Sequence, residues 1–188
     1  MKLKDRVCLF LASAGGLGLM PIAPGSFGAL LGVGMHVAVA LLAPPECRLV
    51  FLITCFVVVC VAHFLLTPWA QKYWNDPDPG HFVLDEVAGY LVVPILLMNV
   101  PMVVVQNSMS IGPSTFLEPA PLWYLATAGF FVFRVFDIIK LPGARYIDRN
   151  WHGAWGVLLD DIVSGVYAAG VVWFAARFWS ALFVGGGV

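Results

Sequence analysis

The sequence predicts an all-α protein, a polytopic membrane helix bundle of about five spanning helices plus an N-terminal re-entrant or interfacial helix, in a single domain over residues 1–188. Three observations carry that expectation. Apolar residues make up 61% of the chain and charged ones 11%, with a mean hydropathy of +0.90; a soluble domain is about 45–50% apolar and about 25% charged. The apolar residues gather into long runs, several close to the roughly 20 residues that a helix needs to cross a bilayer. Finally, eight charged side chains crowd between Arg134 and Asp161, in a chain with only 10 Lys or Arg and 11 Asp or Glu. Charges bound for a membrane interior must be paired or metal-bound, so this segment predicts a site. A net charge of −1 excludes a nucleic-acid partner, because no basic stripe exists to neutralise phosphates.

The chain starts with Lys2, Lys4 and Arg6 before an apolar stretch, a pattern shared with signal peptides. Apolar character resumes beyond Gly28, so the expectation is an uncleaved, cytoplasmic basic start. Residues 7–20 are too short and too glycine-rich to span, and read as the re-entrant or interfacial helix, ending at Pro21. The stretch from Pro21 through Pro24, Gly25, Ser26 and Gly28 reads as a turn into a helix. Ser26 is the expected N-cap, with exposed amides behind it that suit an anion; a stiff turn with an ordinary cap explains the same residues. The first span is expected over about 26–43, with Gly28 and Gly32 on one face for close helix approach. The second runs over about 49–66, with His63 packed near its end. Residues 67–82 read as a polar loop whose Trp69, Tyr73 and Trp74 suit the headgroup zone, with Asp76 and Asp78 in turns.

The third span starts near Val83 and carries Asp85 and Glu86 in its first turn. The helix dipole favours acids there, yet two neighbouring carboxylates repel each other. Residues 99–121 read as a helix end and a loop. The fourth and fifth spans are expected over about 122–139 and 157–184, joined by a loop. The four cysteines lie in apolar runs without metal-ligand spacing. Six residues after Cys55 stands Val61, which excludes the Cys-to-Arg signature of thiol-dependent phosphatases.

With the basic N-terminus inside, the loops at 67–82 and 140–157 are cytoplasmic, and Lys72, Lys140, Arg145 and Arg149 join the inner face, as the positive-inside rule expects. Ser26, Asp85 with Glu86, Arg134 to Lys140, and Asp160 with Asp161 then all lie at that same face. Four separated motifs at one depth predict one site at the cytoplasmic interface. Within it, Arg134, Asp137 and Lys140 follow at steps of three, so adjacent pairs share a helix face. Asp161 shares a face with Ser164, Gly165 and Ala168, while Asp160 is turned about 100° away. Carboxylates without a Cys or His cluster suit Mg²⁺, which commonly takes one or two carboxylates with water and substrate phosphate. Arg134, Lys140 and Arg149 supply the positive charge that a phosphate needs. Ion pairing among helices with no ligand is the ordinary account of the same residues.

Three blocks carry a family resemblance. One is Gly18-x-x-Pro21-x-x-Pro24-Gly25-Ser26-x-Gly28. A second is Asp85-Glu86-x-x-Gly89. The third runs Phe133-Arg134-x-x-Asp137-x-x-Lys140, then Arg145-x-x-Asp148-Arg149-Asn150-x-His152-Gly153, then Gly156-Val157-x-x-Asp160-Asp161-Ile162-x-x-Gly165. In this order they resemble the phosphatidylglycerophosphatase A family, small bacterial membrane enzymes. The sequence departs from the family pattern at Ser26, where Thr is frequent, and at Ala154, where a second glycine is usual. The resemblance implies Mg²⁺-dependent hydrolysis of phosphatidylglycerophosphate to phosphatidylglycerol and phosphate in the bacterial inner membrane, with a membrane phospholipid as substrate. It implies Asp85, Glu86, Asp137, Asp160 and Asp161 as catalytic metal ligands, and Arg134, Lys140 and Arg149 as groups that neutralise the phosphoryl oxygens. Ser26 and the Gly25 to Gly28 backbone are further substrate-binding candidates. His152 is a candidate proton donor to the leaving alkoxide, although a loop histidine is as readily structural. A metal-bound water and an Asp nucleophile both fit this set.

Two other classes fit parts of the pattern. A cation or proton transporter also places acids in membrane helices, but such groups usually lie near the midplane, and here they lie at helix ends. A lipid-binding scaffold would use the basic loop for anionic headgroups.

Overall fold

The computed structural model describes residues 2–98, 100–107, 114–119 and 121–185. In chain order come α1 (Leu3–Ala12), α2 (Pro24–Leu42), α3 (Arg48–Trp74) and α4 (Leu84–Leu97). An antiparallel hairpin of β1 (Pro101–Asn107) and β2 (Ser114–Pro119) follows, then α5 (Leu122–Ile139), α6 (Pro142–Asn150) and α7 (Ala154–Gly185). Among the described residues, four helical stretches are long and apolar enough to cross a membrane: Pro24–Leu42, Pro45–Trp74, Leu122–Ile139 and Ala154–Phe178.

The bundle is built around α4, which packs against α2, α3, α5 and α7. Its 14 residues rise only about 21 Å. Nearly every residue from Leu84 to Pro94 is buried, so α4 meets other helices on all sides and needs no apolar face of its own for lipid. Glycines set the approach. A β-carbon at Gly28 would lie 2.7 Å from Val83 Cβ, and one at Gly32 would lie 2.9 Å from Tyr90 Cδ1. One at Gly165 would overlap the Gly89 carbonyl. These contacts bring α2 and α7 against α4 at backbone distance, the use of small residues that Gly28, Gly32 and the Asp161 face predict.

The sequence reading holds at α5, whose bounds are those expected, and at the start of α4. It fails in five places. The N-terminal helix covers 3–12 rather than 7–20. It stops because Gly15 and Gly16 take φ of +76° and +97°, where Ser13 Oγ accepts the Gly16 amide at 3.1 Å. Ser26 is not an N-cap. Ala23 caps α2 at φ +50° without a side-chain bond, Pro24 occupies the first turn, and Ser26 lies inside the helix. The expected loop at 67–82 is helical as far as Trp74, because α3 runs through Pro68. The segment 99–121 contains a hairpin, where Val103, Val104 and Val105 pair with Glu118, Leu117 and Phe116; β-branched residues favour that state. The loop at 140–157 contains the short helix α6.

Candidate active site

Three helices deliver side chains, and a fourth its backbone, to one place beside the start of α4. The α3 helix ends at Asn75, with φ +52°, and a short loop returns the chain so that Asp85 and Glu86 fall in the first turn of α4. Asp161 stands in the second turn of α7 and is 4% exposed; Asp85 is 7% exposed. One ligand oxygen from each of Asp85, Glu86 and Asp161 lies within 4.8 Å of the other two. Asp85 Oδ1 and Glu86 Oε2 are buried without a hydrogen-bond partner. From α5, Asp137 sets its carboxyl against that of Asp161 and accepts a hydrogen bond from Arg134 Nη1.

The remaining wall is backbone. A β-carbon at Gly25 would overlap Glu86 Oε1 and lie 3.1 Å from Arg134 Nη1, so the bare first turn of α2 abuts both groups. No side chain caps that turn; Pro24 has no N–H and the Ser26 amide donates to the Ala23 carbonyl at 2.9 Å, so Gly25 is the amide among these three that could meet an anion. Carboxylates this close and this dry repel each other strongly unless protons or a cation lie among them. A set of oxygen donors with unpartnered atoms fits a hard divalent cation such as Mg²⁺. Any of the carboxylate chemistry read from the sequence requires this convergence, and the fold supplies it.

A second charged group adjoins the first. Lys140, just past the end of α5, donates to Asp148 Oδ1 of α6 at 2.5 Å and to Asp160 Oδ2 of α7 at 2.6 Å. Burial pulls the Lys140 ammonium down, but its two carboxylate partners outweigh this and hold its pKa above the ordinary lysine value. Asp160 is 4% exposed and its Oδ1 has no partner. It therefore faces the lysine while Asp161 faces the trio, as their 100° separation requires.

Of the residues singled out in the sequence, Gly25, Asp85, Glu86, Arg134, Asp137 and Asp161 come together, and Lys140 with Asp160 lie in the adjoining group. Arg149 is exposed and has no hydrogen-bond or ion-pair partner among the described residues. His152 lines an open cleft of about 400 Å³ with Asp78, Asp148, Trp151 and Gly156. Ser26 is half-buried in α2. Asp148 is the partner that sequence reasoning missed. It lies eight residues from Lys140, a spacing that no single helix brings together, and only the turn into α6 makes the contact.

The family described as phosphatidylglycerophosphatase A matches residues 10–176. The chain is 30% identical over 169 residues to "Phosphatidylglycerophosphatase A" of Escherichia coli, covering 90% of this chain and 83% of that one. It is 30% identical over 172 residues to the protein of the same name from Haemophilus influenzae, covering 90% and 88%. A protein of Bacteroides thetaiotaomicron with the provisional name phosphatidylinositol-3-phosphatase is 31% identical over 168 residues, covering 89% and 92%. No solved structure matches the chain significantly. The family match runs from α1 into α7 and takes in every carboxylate described above, and the chain belongs to the phosphatidylglycerophosphatase A family.

Proposed function

We propose that the protein is a Mg²⁺-dependent lipid phosphatase that hydrolyses phosphatidylglycerophosphate to phosphatidylglycerol and inorganic phosphate at the cytoplasmic face of the bacterial inner membrane. The observation that carries this reading is the trio of Asp85, Glu86 and Asp161 within 4.8 Å, with two orphaned carboxylate oxygens and the Arg134 guanidinium alongside. The names of the two phosphatidylglycerophosphatase relatives support the substrate.

In this reading Asp85, Glu86 and Asp161 hold the metal, with Asp137 beside them. A bound divalent ion supplies Lewis-acid polarisation of a phosphoryl oxygen and neutralises developing charge. Arg134 places its guanidinium where the equatorial phosphoryl oxygens gather charge, and Asp137 fixes its orientation through the hydrogen bond from Nη1. The Gly25 amide at the uncapped start of α2 adds a donor at the same wall. Because Gly25 lacks a side chain, Glu86 and Arg134 close directly against the first turn of α2. The lipid arrives laterally, with its acyl chains in the bilayer and its phosphomonoester at the level of these helix ends.

Carboxylates in the first two turns of α4 and α7 favour interfacial chemistry over an ion path, which places such groups near the midplane. The test is phosphate release by the purified protein from micelles of phosphatidylglycerophosphate, phosphatidic acid and phosphatidylinositol-3-phosphate in parallel. Preferred hydrolysis of the first supports the assignment. Preference for the inositol lipid would transfer it to the chemistry named for the Bacteroides relative, and no release from any of the three would remove it.

A further inference from the structure

Lys140 is placed by its sequence context among the phosphate-binding cations, but its surroundings argue otherwise. An ammonium has three protons, and two of them are committed to Asp148 at 2.5 Å and Asp160 at 2.6 Å. The three groups together carry a net charge of −1, so a phosphate dianion approaching this lysine meets two carboxylates as well. Lys140 also leaves α5 at φ +49°, a conformation in which glycine or asparagine is the usual residue. A lysine is held there by its side-chain partners.

Those partners belong to different elements. Asp148 is on α6, which packs on α7 where a β-carbon at Gly143 would lie 3.4 Å from Val163 and from Tyr167 Oη. Asp160 is on α7, almost fully buried, and Lys140 is the cation that forms a salt bridge with it among the described residues. Asp160 and Asp161 are consecutive on a rigid helix, so any rotation of α7 that frees Asp160 turns Asp161 away from Asp85 and Glu86 by the same angle. We infer that Lys140 is a positioning residue, whose bridge from Asp148 to Asp160 fixes the opening turns of α7 and thereby aims Asp161 into the carboxylate trio. This rests on the reading of that trio as the metal site.

The test uses the full-length protein in detergent, comparing wild type, Lys140→Met, Lys140→Arg, Asp160→Asn and Lys140→Met/Asp160→Asn. Three quantities are read: thermal stability, the Kd for Mn²⁺ without substrate, and KM for the lipid. Positioning predicts that Lys140→Met lowers the melting temperature and that adding Asp160→Asn recovers it, because the stranded buried charge is gone. It also predicts an Mn²⁺ Kd weakened about tenfold in Lys140→Met and restored in Lys140→Arg, with KM within about twofold of wild type. A lowered folded fraction alone would leave the Kd of the folded protein unchanged. An unchanged Mn²⁺ Kd in Lys140→Met, or a KM raised about tenfold at constant Kd, would overturn the inference and return Lys140 to the phosphate. If wild type binds no Mn²⁺, the metal reading itself fails. The bridge is then judged on stability, where additive effects of the two substitutions overturn it.

Discussion

Glu86 Oε1 occupies the space that a β-carbon at Gly25 would need, with Arg134 Nη1 only 3.1 Å from the same point. The first turn of α2 therefore meets an acid of α4 and a base of α5 with no side chain between them. Gly25→Ala must displace one of the two. The expected outcome is a loss in kcat/KM of about 100-fold, near 2.7 kcal/mol of transition-state stabilisation. Steady-state kinetics beside a melting curve checks it: a folded protein with full activity contradicts the contact.

Asp161→Asn separates function from stability. The buried carboxylates repel one another when no cation lies among them, so neutralising one relieves the fold. The variant is expected to melt at a higher temperature than wild type in the presence of chelator while hydrolysing no lipid. It should also lose the stabilisation that wild type gains from added Mg²⁺. Differential scanning with and without Mg²⁺ reads both effects.

Gly165→Val tests the packing that carries Asp161. Its β-carbon would overlap the Gly89 carbonyl and its methyls would crowd Val92, pushing α7 from α4. Overpacking of this kind costs about 1–3 kcal/mol, and the melting temperature should fall accordingly. A variant as stable as wild type would show that the two helices do not meet at backbone distance.

The Lys140 bridge makes a pH prediction with a definite sign. Its partners raise the ammonium pKa above the ordinary value of 10.5. A raised pKa contributes stability that is fully present below the unfolded value and is lost only as pH climbs through the folded one. The stabilisation that the ammonium supplies to wild type should therefore persist to about pH 10 and be lost only in stronger alkali. A loss of stabilisation near neutrality in melting curves would mean that another group is titrating.

How far the sequence carries the reader depends on the kind of signal. The α5 bounds were legible because a largely apolar run, interrupted by the charges of Arg134 and Asp137, lies between Pro121 and Lys140. The convergence of Glu86 and Asp161 was legible because alternating spans return charged helix ends to one face. Polar composition misled at 67–74, since Gln71, Lys72 and their neighbours extend α3 past Pro68. Thr67 Oγ1 donates to the His63 carbonyl at 2.6 Å on that turn, a local tie that no composition reveals. Ser26 misled because Ala23 and Pro24 start the helix earlier. The roles of Asp160 and Lys140 needed coordinates, because periodicity gives the angle between neighbours and not which of them meets a partner from another helix.

The central claim is that carboxylates from α4 and α7 form one metal-dependent phosphatase site, and phosphate release from phosphatidylglycerophosphate measures it most directly. Purified wild type should release phosphate with Mg²⁺, stop on addition of chelator, and recover when Mg²⁺ is restored, while Glu86→Gln and Asp161→Asn stay inactive throughout. Undiminished release in chelator, or wild-type rates from either variant, would contradict it.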